Sequence, residues 1–130
     1  MAALTDFAEK AFIDHFLRGV SQTSPATVYL ALFTTNPLDA ATGTEAAWAA
    51  YGRQLSTWSD PGVDGITTNT NQIIFPANNS GAPVIISYGA VFSAVTAGNM
   101  IIHGAVLPNK TLAVTDSLVF EIGDLSFTIG

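Results

Sequence analysis

Two histidines, ten acidic side chains, four basic ones and three tyrosines are all the titratable chemistry in these 130 residues. Cysteine is absent, which excludes disulfides, thiolate metal sites and Cys nucleophiles. A metal centre needs three or four convergent ligands, and no carboxylate stands at ligand spacing from either His15 or His103. His15 falls in a helical pattern near Lys10 and Arg18, as a surface residue. His103 interrupts the apolar residues Ile101, Ile102 and Val106, and reads as half-buried and satisfied by backbone. Asp60-Pro61-Gly62-Val63-Asp64 lacks the alternating oxygens and closing Glu of a calcium loop. Glu121 and Asp124 flank Gly123 and read as turn polarity, because acid–base work on a glycoside needs carboxylates on opposite sides of a cleft. There is no Gly-x-Ser-x-Gly elbow, and neither Lys10 nor Lys110 follows a glycine-rich phosphate loop. The expectation is a non-enzymatic protein with no catalytic residue, cofactor or metal.

Aromatic side chains offer a different chemistry, that of contact. Trp48, Tyr51 and Trp58 cluster around an alanine-rich segment. Exposed on a β-sandwich they could stack on sugar; as protein anchors they would be hot-spot residues. The second reading is preferred, with Trp58 as a core anchor and Trp48 as a loop or interface residue. The candidate interface residues are Phe7, Leu38, Trp48 and Tyr51.

The elements that must position these residues follow from periodicity. Thr5 can cap a helix with Asp6 and Glu9 in its first turn, and Gly19 is placed to end it. At 100° per residue Ala8, Phe12, Ile13, Phe16 and Leu17 share one arc, opposite the i, i+4 series Lys10, Asp14, Arg18, and Phe7 lies off the arc. Residues 1–20 are therefore an amphipathic helix whose arc seeks a core. Beyond Gly19 the period becomes two. Strands are expected at 27–34, 53–58, 66–68, 72–75, 84–95, 100–106, 111–114, 117–122 and 125–129, with a loop over 38–50 and a hairpin turn at Ala97-Gly98-Asn99. One helix with no βαβ alternation argues against a doubly wound fold, and a length of 130 residues with no repeat or linker argues for a single domain, 1–130. Its fold class is mainly β, an antiparallel, jelly-roll-like β-sandwich over 26–130 behind an N-terminal helix.

Composition narrows the partners. Apolar residues make 48% of the chain and charged residues 11%, less than half the usual quarter. A net charge of -6 argues against nucleic acid, and no apolar stretch approaches the ~20 residues of a spanning helix, so no membrane is expected. Asp6, Glu9 and Lys10 stand where a signal peptide needs a basic patch before an unbroken apolar run, which predicts no export by that route. Asn78-Asn79-Ser80 and Asn109-Lys110-Thr111 are read as chance glycosylation triplets. A compact protein of this size has a folded surface of roughly 6,600 Å², more than so few charges cover.

Several motifs now meet a family. Asp14-His15-Phe16-Leu17-Arg18-Gly19 is followed by Pro25-Ala26-Thr27-Val28-Tyr29-Leu30-Ala31-Leu32-Phe33-Thr34-Thr35, then Pro37, Asp39, Gly43-Thr44-Glu45 and Tyr51-Gly52-Arg53-Gln54. Phe75-Pro76, Tyr88-Gly89-Ala90-Val91-Phe92, Gly98-Asn99-Met100 and His103-Gly104-Ala105 continue it. Over nearly the whole chain this resembles a family of short tailed-bacteriophage virion structural proteins often labelled tail fibre proteins. The stretch 32–54 is its most specific part. The chain departs from relatives at Ala46-Ala47-Trp48-Ala49-Ala50, where they tend to be glycine-rich. The resemblance implies a non-enzymatic virion component, assembled in the host cytoplasm, with no catalytic residues to carry over.

A fibre needs length or repeats, and the chain shows neither. The expectation is therefore a capsid decoration (cement) protein on the outside of the head, which stabilises an assembled shell by binding it and not its dissociated subunits. It would act as a dimer or trimer of itself, on the major capsid protein or on tail proteins of the same virion. Contacts would come from the helix, the 38–51 loop and any unpaired strand edge. The alternatives are a tail or tail-fibre-attachment subunit and, from another class, a carbohydrate-binding adsorption module.

Overall fold

A computed structural model describes residues 2–129. The elements in chain order are β1 (Ala2–Leu4), α1 (Asp6–Leu17), β2 (Val28–Phe33), β3 (Gln54–Ser56), β4 (Ile66–Thr68), β5 (Ile73–Ile74), β6 (Val84–Phe92), β7 (Met100–Leu112), β8 (Val119–Phe120) and β9 (Ser126–Thr128). All described pairings are antiparallel. A five-stranded sheet in the order β1-β7-β6-β2-β3 forms one layer, and two ribbons, β4-β9 and β5-β8, form the other. The fold is mainly β, as expected, and β1 is the strand that the sequence pattern did not announce.

Period-two alternation explains why the large sheet has two apolar faces. Leu30, Leu32, Val91, Ile102 and Leu112 point inward and meet Ile73, Phe75, Leu118 and Phe120 of the ribbon layer. Ala31, Phe33, Ala90, Phe92 and Met100 form a second cluster on the outer face. The two long runs pair as a hairpin through the expected turn, where Ala97 (φ 53) and Gly98 (φ 71) both take left-handed backbone and Ser93 N–H reaches the Asn99 carbonyl at 3.0 Å.

The segments expected as separate strands at 100–106 and 111–114 are one strand, β7, interrupted by a bulge. Tyr88 faces Ala105 and Ile86 faces Lys110, so four residues of β7 oppose Ser87 alone. Pro108 sits in that bulge, where a residue with no N–H does least harm to a ladder. At the far edge of the sheet, the Asn71 side chain accepts from Thr57 N–H (2.9 Å) and donates to the Leu55 carbonyl (3.0 Å), so a side chain occupies the free edge of β3.

Two buried asparagines tie the loops. Asn69 donates to the Asn71 and Glu121 carbonyls and accepts from Leu125 N–H. Asn78, fully buried, donates to the Ala82 and Leu112 carbonyls at 2.8 and 3.0 Å. Its amide is thus committed inside the fold, which removes it as a glycan acceptor on the folded chain.

Candidate assembly surface

The helix is the largest departure from expectation. Its start is fixed as predicted: Thr5 accepts from Ala8 N–H at 3.3 Å, and its own hydroxyl donates to the Met100 carbonyl at 2.6 Å. Register pairing of Ala2, Ala3 and Leu4 with Gly104, His103 and Ile102 seats the first residue of α1 at the edge of β7. The arc expected to face a core then points away from the body. Phe12 (55%), Ile13 (48%), Phe16 (67%) and Leu17 (76%) are exposed, while the small Ala8 and Ala11 lie toward the sheet. The physical reason is placement: the β1–β7 pairing sets the helix at the edge of the large sheet, outside the space where the sheet and ribbons pack on one another. The accessible surface, 7342 Å², exceeds the roughly 6,600 Å² of a compact chain of this size in the same sense.

Asp14, the one α1 residue that is buried, is covered by neighbours on its own helix rather than by the core. Lys10 forms an ion pair with it, and Arg18 contacts it at 2.6 Å. Lys10 first, then Arg18, hold its carboxyl below the usual carboxylate value. Gly19, at φ +66, turns the chain so that Val20 N–H returns to the Asp14 carbonyl.

A second region builds outward from Pro37. Gly43 lies so close to the Asn36–Pro37 backbone that a Cβ on it would stand 2.5 Å from the Asn36 oxygen. That close approach folds the 36–43 loop into a compact flap in which Leu38 takes φ +55 and remains exposed. Asp39 holds the flap down: its carboxylate meets His103 Nε2 at 2.9 Å and its carbonyl accepts from Asp6 N–H at 3.4 Å. The expected backbone partner of His103 is therefore replaced by a carboxylate. Leu38 and Phe7 each stand one residue from the Asp6–Asp39 hydrogen bond.

Of the four residues picked from sequence as contacts, the structure exposes two. Phe7 (47%) and Leu38 (54%) are on this surface. Trp48 is buried in the main core, and Tyr51 packs beneath it, its ring edge-on to Trp48 and stacked on Phe75. Neither is placed to meet a partner, because their apolar area is already used inside the fold. Trp58 packs on Phe127 with its indole N–H donated to Ser56, so the three aromatics present no flat platform for a sugar.

What sequence reasoning missed is the clamp beside Tyr51. Arg53 donates Nε and Nη2 to the two Glu45 oxygens at 2.9 and 3.0 Å, and Nη1 to the Ala94 and Ala97 carbonyls at 3.1 and 2.7 Å. Its guanidinium carbon lies 3.6 Å from the centre of the Phe92 ring. Tyr51 donates to Glu45 at 2.8 Å and accepts from Leu32 N–H at 3.1 Å. Burial, aided by the Glu45 charge, pushes the Tyr51 phenol well above the ordinary tyrosine value. The one available signal was the Glu45…Arg53 opposite-charge pair flanking a tyrosine in an otherwise charge-poor chain.

A cleft of about 600 Å³ opens between the layers, lined by Leu30, Leu32, Gly89, Val106, Phe120 and Leu125 among others, with Lys110 and Asp124 also lining it. A shallower hollow of about 230 Å³ lies between Phe12, His15 and Phe16 of α1 and the following Gln22, Thr23 and Ser24. Among the described residues, no group of three or more His, Asp or Glu could hold a metal ion, and no helix is long and apolar enough to cross a membrane. Exposed apolar side chains occur all over the body, Val63, Leu107 and Ile122 among them, and α1 gathers four large ones, Phe12, Ile13, Phe16 and Leu17, on one face.

Compared with known proteins, the chain matches a family model described as podophage GP4 fiber I protein gp80, over residues 3–128. No curated protein matches it.

Proposed function

We propose, from the premise that this chain belongs to the podophage GP4 fiber I protein gp80 family, that it is a non-enzymatic subunit of the phage tail apparatus that acts by docking. Membership makes it a phage fibre-type structural protein and a virion component. The family match favours the tail or fibre-attachment alternative over capsid decoration. The argument from length weighs less than it did, because a fibre can be assembled from several polypeptides.

The single observation that carries the docking reading is the outward apolar face of α1. A soluble monomer seldom leaves so many large side chains of one helix in water, and such patches mark contact sites. The sandwich serves as the rigid mount, with the Thr5 cap and the β1–β7 pairing fixing where the helix projects. Buried Trp48 and half-buried Trp58 weigh against a sugar-binding module.

Purified particles separated into heads and tails test the reading. The chain should be recovered in the tail fraction. Recovery with heads at the copy number of the shell lattice would restore the capsid decoration reading and overturn this one.

A further inference from the structure

We infer that the outward face of α1 is an interface between copies of this chain, each copy covering the Phe12–Leu17 stripe of another. The inference rests on the docking reading above and names its partner.

Strand addition at the two long sheet edges is hindered. The β3 edge is occupied by the Asn71 side chain, and β7 beyond Gly104 is broken by the bulge at 106–109, so neither offers a straight ladder to an incoming strand. The helix instead presents four large apolar side chains on one face.

Area points to a second copy. With about 200 Å² for a fully exposed aromatic side chain and slightly less for Leu or Ile, the exposures of Phe12, Ile13, Phe16 and Leu17 amount to roughly 450 Å². Val20 and the aliphatic stem of Glu9 add to the stripe and bring the face near ~550 Å². Two such faces give roughly 1,100 Å², just above the ~1,000 Å² that a specific interface should clear.

Spacing and charge agree. Phe12/Phe16 and Ile13/Leu17 are i, i+4 columns, and Phe12 and Phe16 already touch, with ring centres 4.8 Å apart. In an antiparallel pair about a two-fold axis, Phe12 of one copy lies opposite Leu17 of the other, and Ile13 opposite Phe16. Every aromatic then meets an aliphatic, and each contact is made twice, as an isologous pair requires. None of Phe12, Ile13, Phe16 and Leu17 is charged, Asp14 between them is buried in its ion pairs, and Glu9 and Lys10 offset one another. Bodies of net charge -6 repel, so this apolar contact should persist when salt screens the repulsion.

Light scattering on the size-fractionated full-length chain tests the interface. The wild type should show the mass of two or more chains, unchanged on adding NaCl. Phe16→Glu with Leu17→Glu should show the mass of one chain with the circular dichroism of the wild type. Leu107→Glu, at a 79% exposed residue in the β7 bulge rather than on α1, should keep the wild-type mass. A monomeric wild type, or a double variant that keeps the oligomeric mass, overturns the interface whatever the particle fractions show. Failure of the tail reading is seen separately, in those fractions alone.

Discussion

Replacing Arg53 with alanine should be the most damaging change at a charged residue, and its size can be worked from the contacts. The side chain is 10% exposed and Glu45 27% exposed. Removing one partner of a buried ion pair costs about 3–5 kcal/mol, because the other charge stays behind. Here water reaches Glu45 and the Tyr51 hydroxyl still donates to it, which places that part near the lower figure. Loss of the guanidinium over Phe92 adds about 1 kcal/mol. The total, about 3–4 kcal/mol, is a large share of the 5–15 kcal/mol that holds a typical domain together. For a chain of this length each kcal/mol moves the melting temperature by about 4 °C, so a fall of about 12–16 °C is expected. Urea unfolding followed by tryptophan fluorescence measures the free-energy loss and a thermal scan the fall in melting temperature, with Arg53→Lys as the companion. Lysine keeps the charge but can neither grip both Glu45 oxygens nor lie flat on the ring, so it should recover less than half. A loss under about 1 kcal/mol for alanine, or a lysine variant equal to wild type, would refute the clamp.

Further expectations concern single atoms. Gly43→Ala should destabilise by about 2–3 kcal/mol, since its Cβ would meet Asn36 backbone at 2.5 Å, whereas at Gly89 the nearest atom is 3.7 Å away and alanine should change stability by under about 1 kcal/mol; thermal unfolding of the pair compares them. Asn78→Ala should cost about 2–3 kcal/mol by stranding the Ala82 and Leu112 carbonyls, read from the urea midpoint. The raised Tyr51 phenol is neutral when folded while the unfolded chain ionises near pH 10. Its contribution is therefore complete below that pH and lost as pH rises beyond it. Urea midpoints measured from pH 8 to pH 11 should fall above pH 10 in wild type, and the fall should be smaller in Tyr51→Phe.

Much of the fold was legible because period-two alternation is a strong signal. Ile66–Thr68 is found where expected, the 38–50 loop is a loop, and the Ala97-Gly98-Asn99 turn closes the hairpin. The merger of two expected strands into β7 was hidden because a bulge at 106–109 looks locally like a turn carrying Pro108. The inverted helix was hidden for a deeper reason. Periodicity reports that Phe12, Ile13, Phe16 and Leu17 share a face, but not where that face points, and the β1–β7 pairing sets the helix outside the sandwich. The burial of Trp48 was hidden for the converse reason. An alanine-rich loop with a single large ring resembles a surface anchor until the Phe75 and Tyr51 rings are seen around it. Phe7, out of pattern with its own helix, is exposed, and so is Leu38.

The central claim, a fibre-type subunit of the tail, meets its most direct test in electron microscopy of intact particles labelled with gold-tagged antibody to this chain. Gold confined to the tail and its appendages is the result expected. Gold spread evenly over the head would contradict the account.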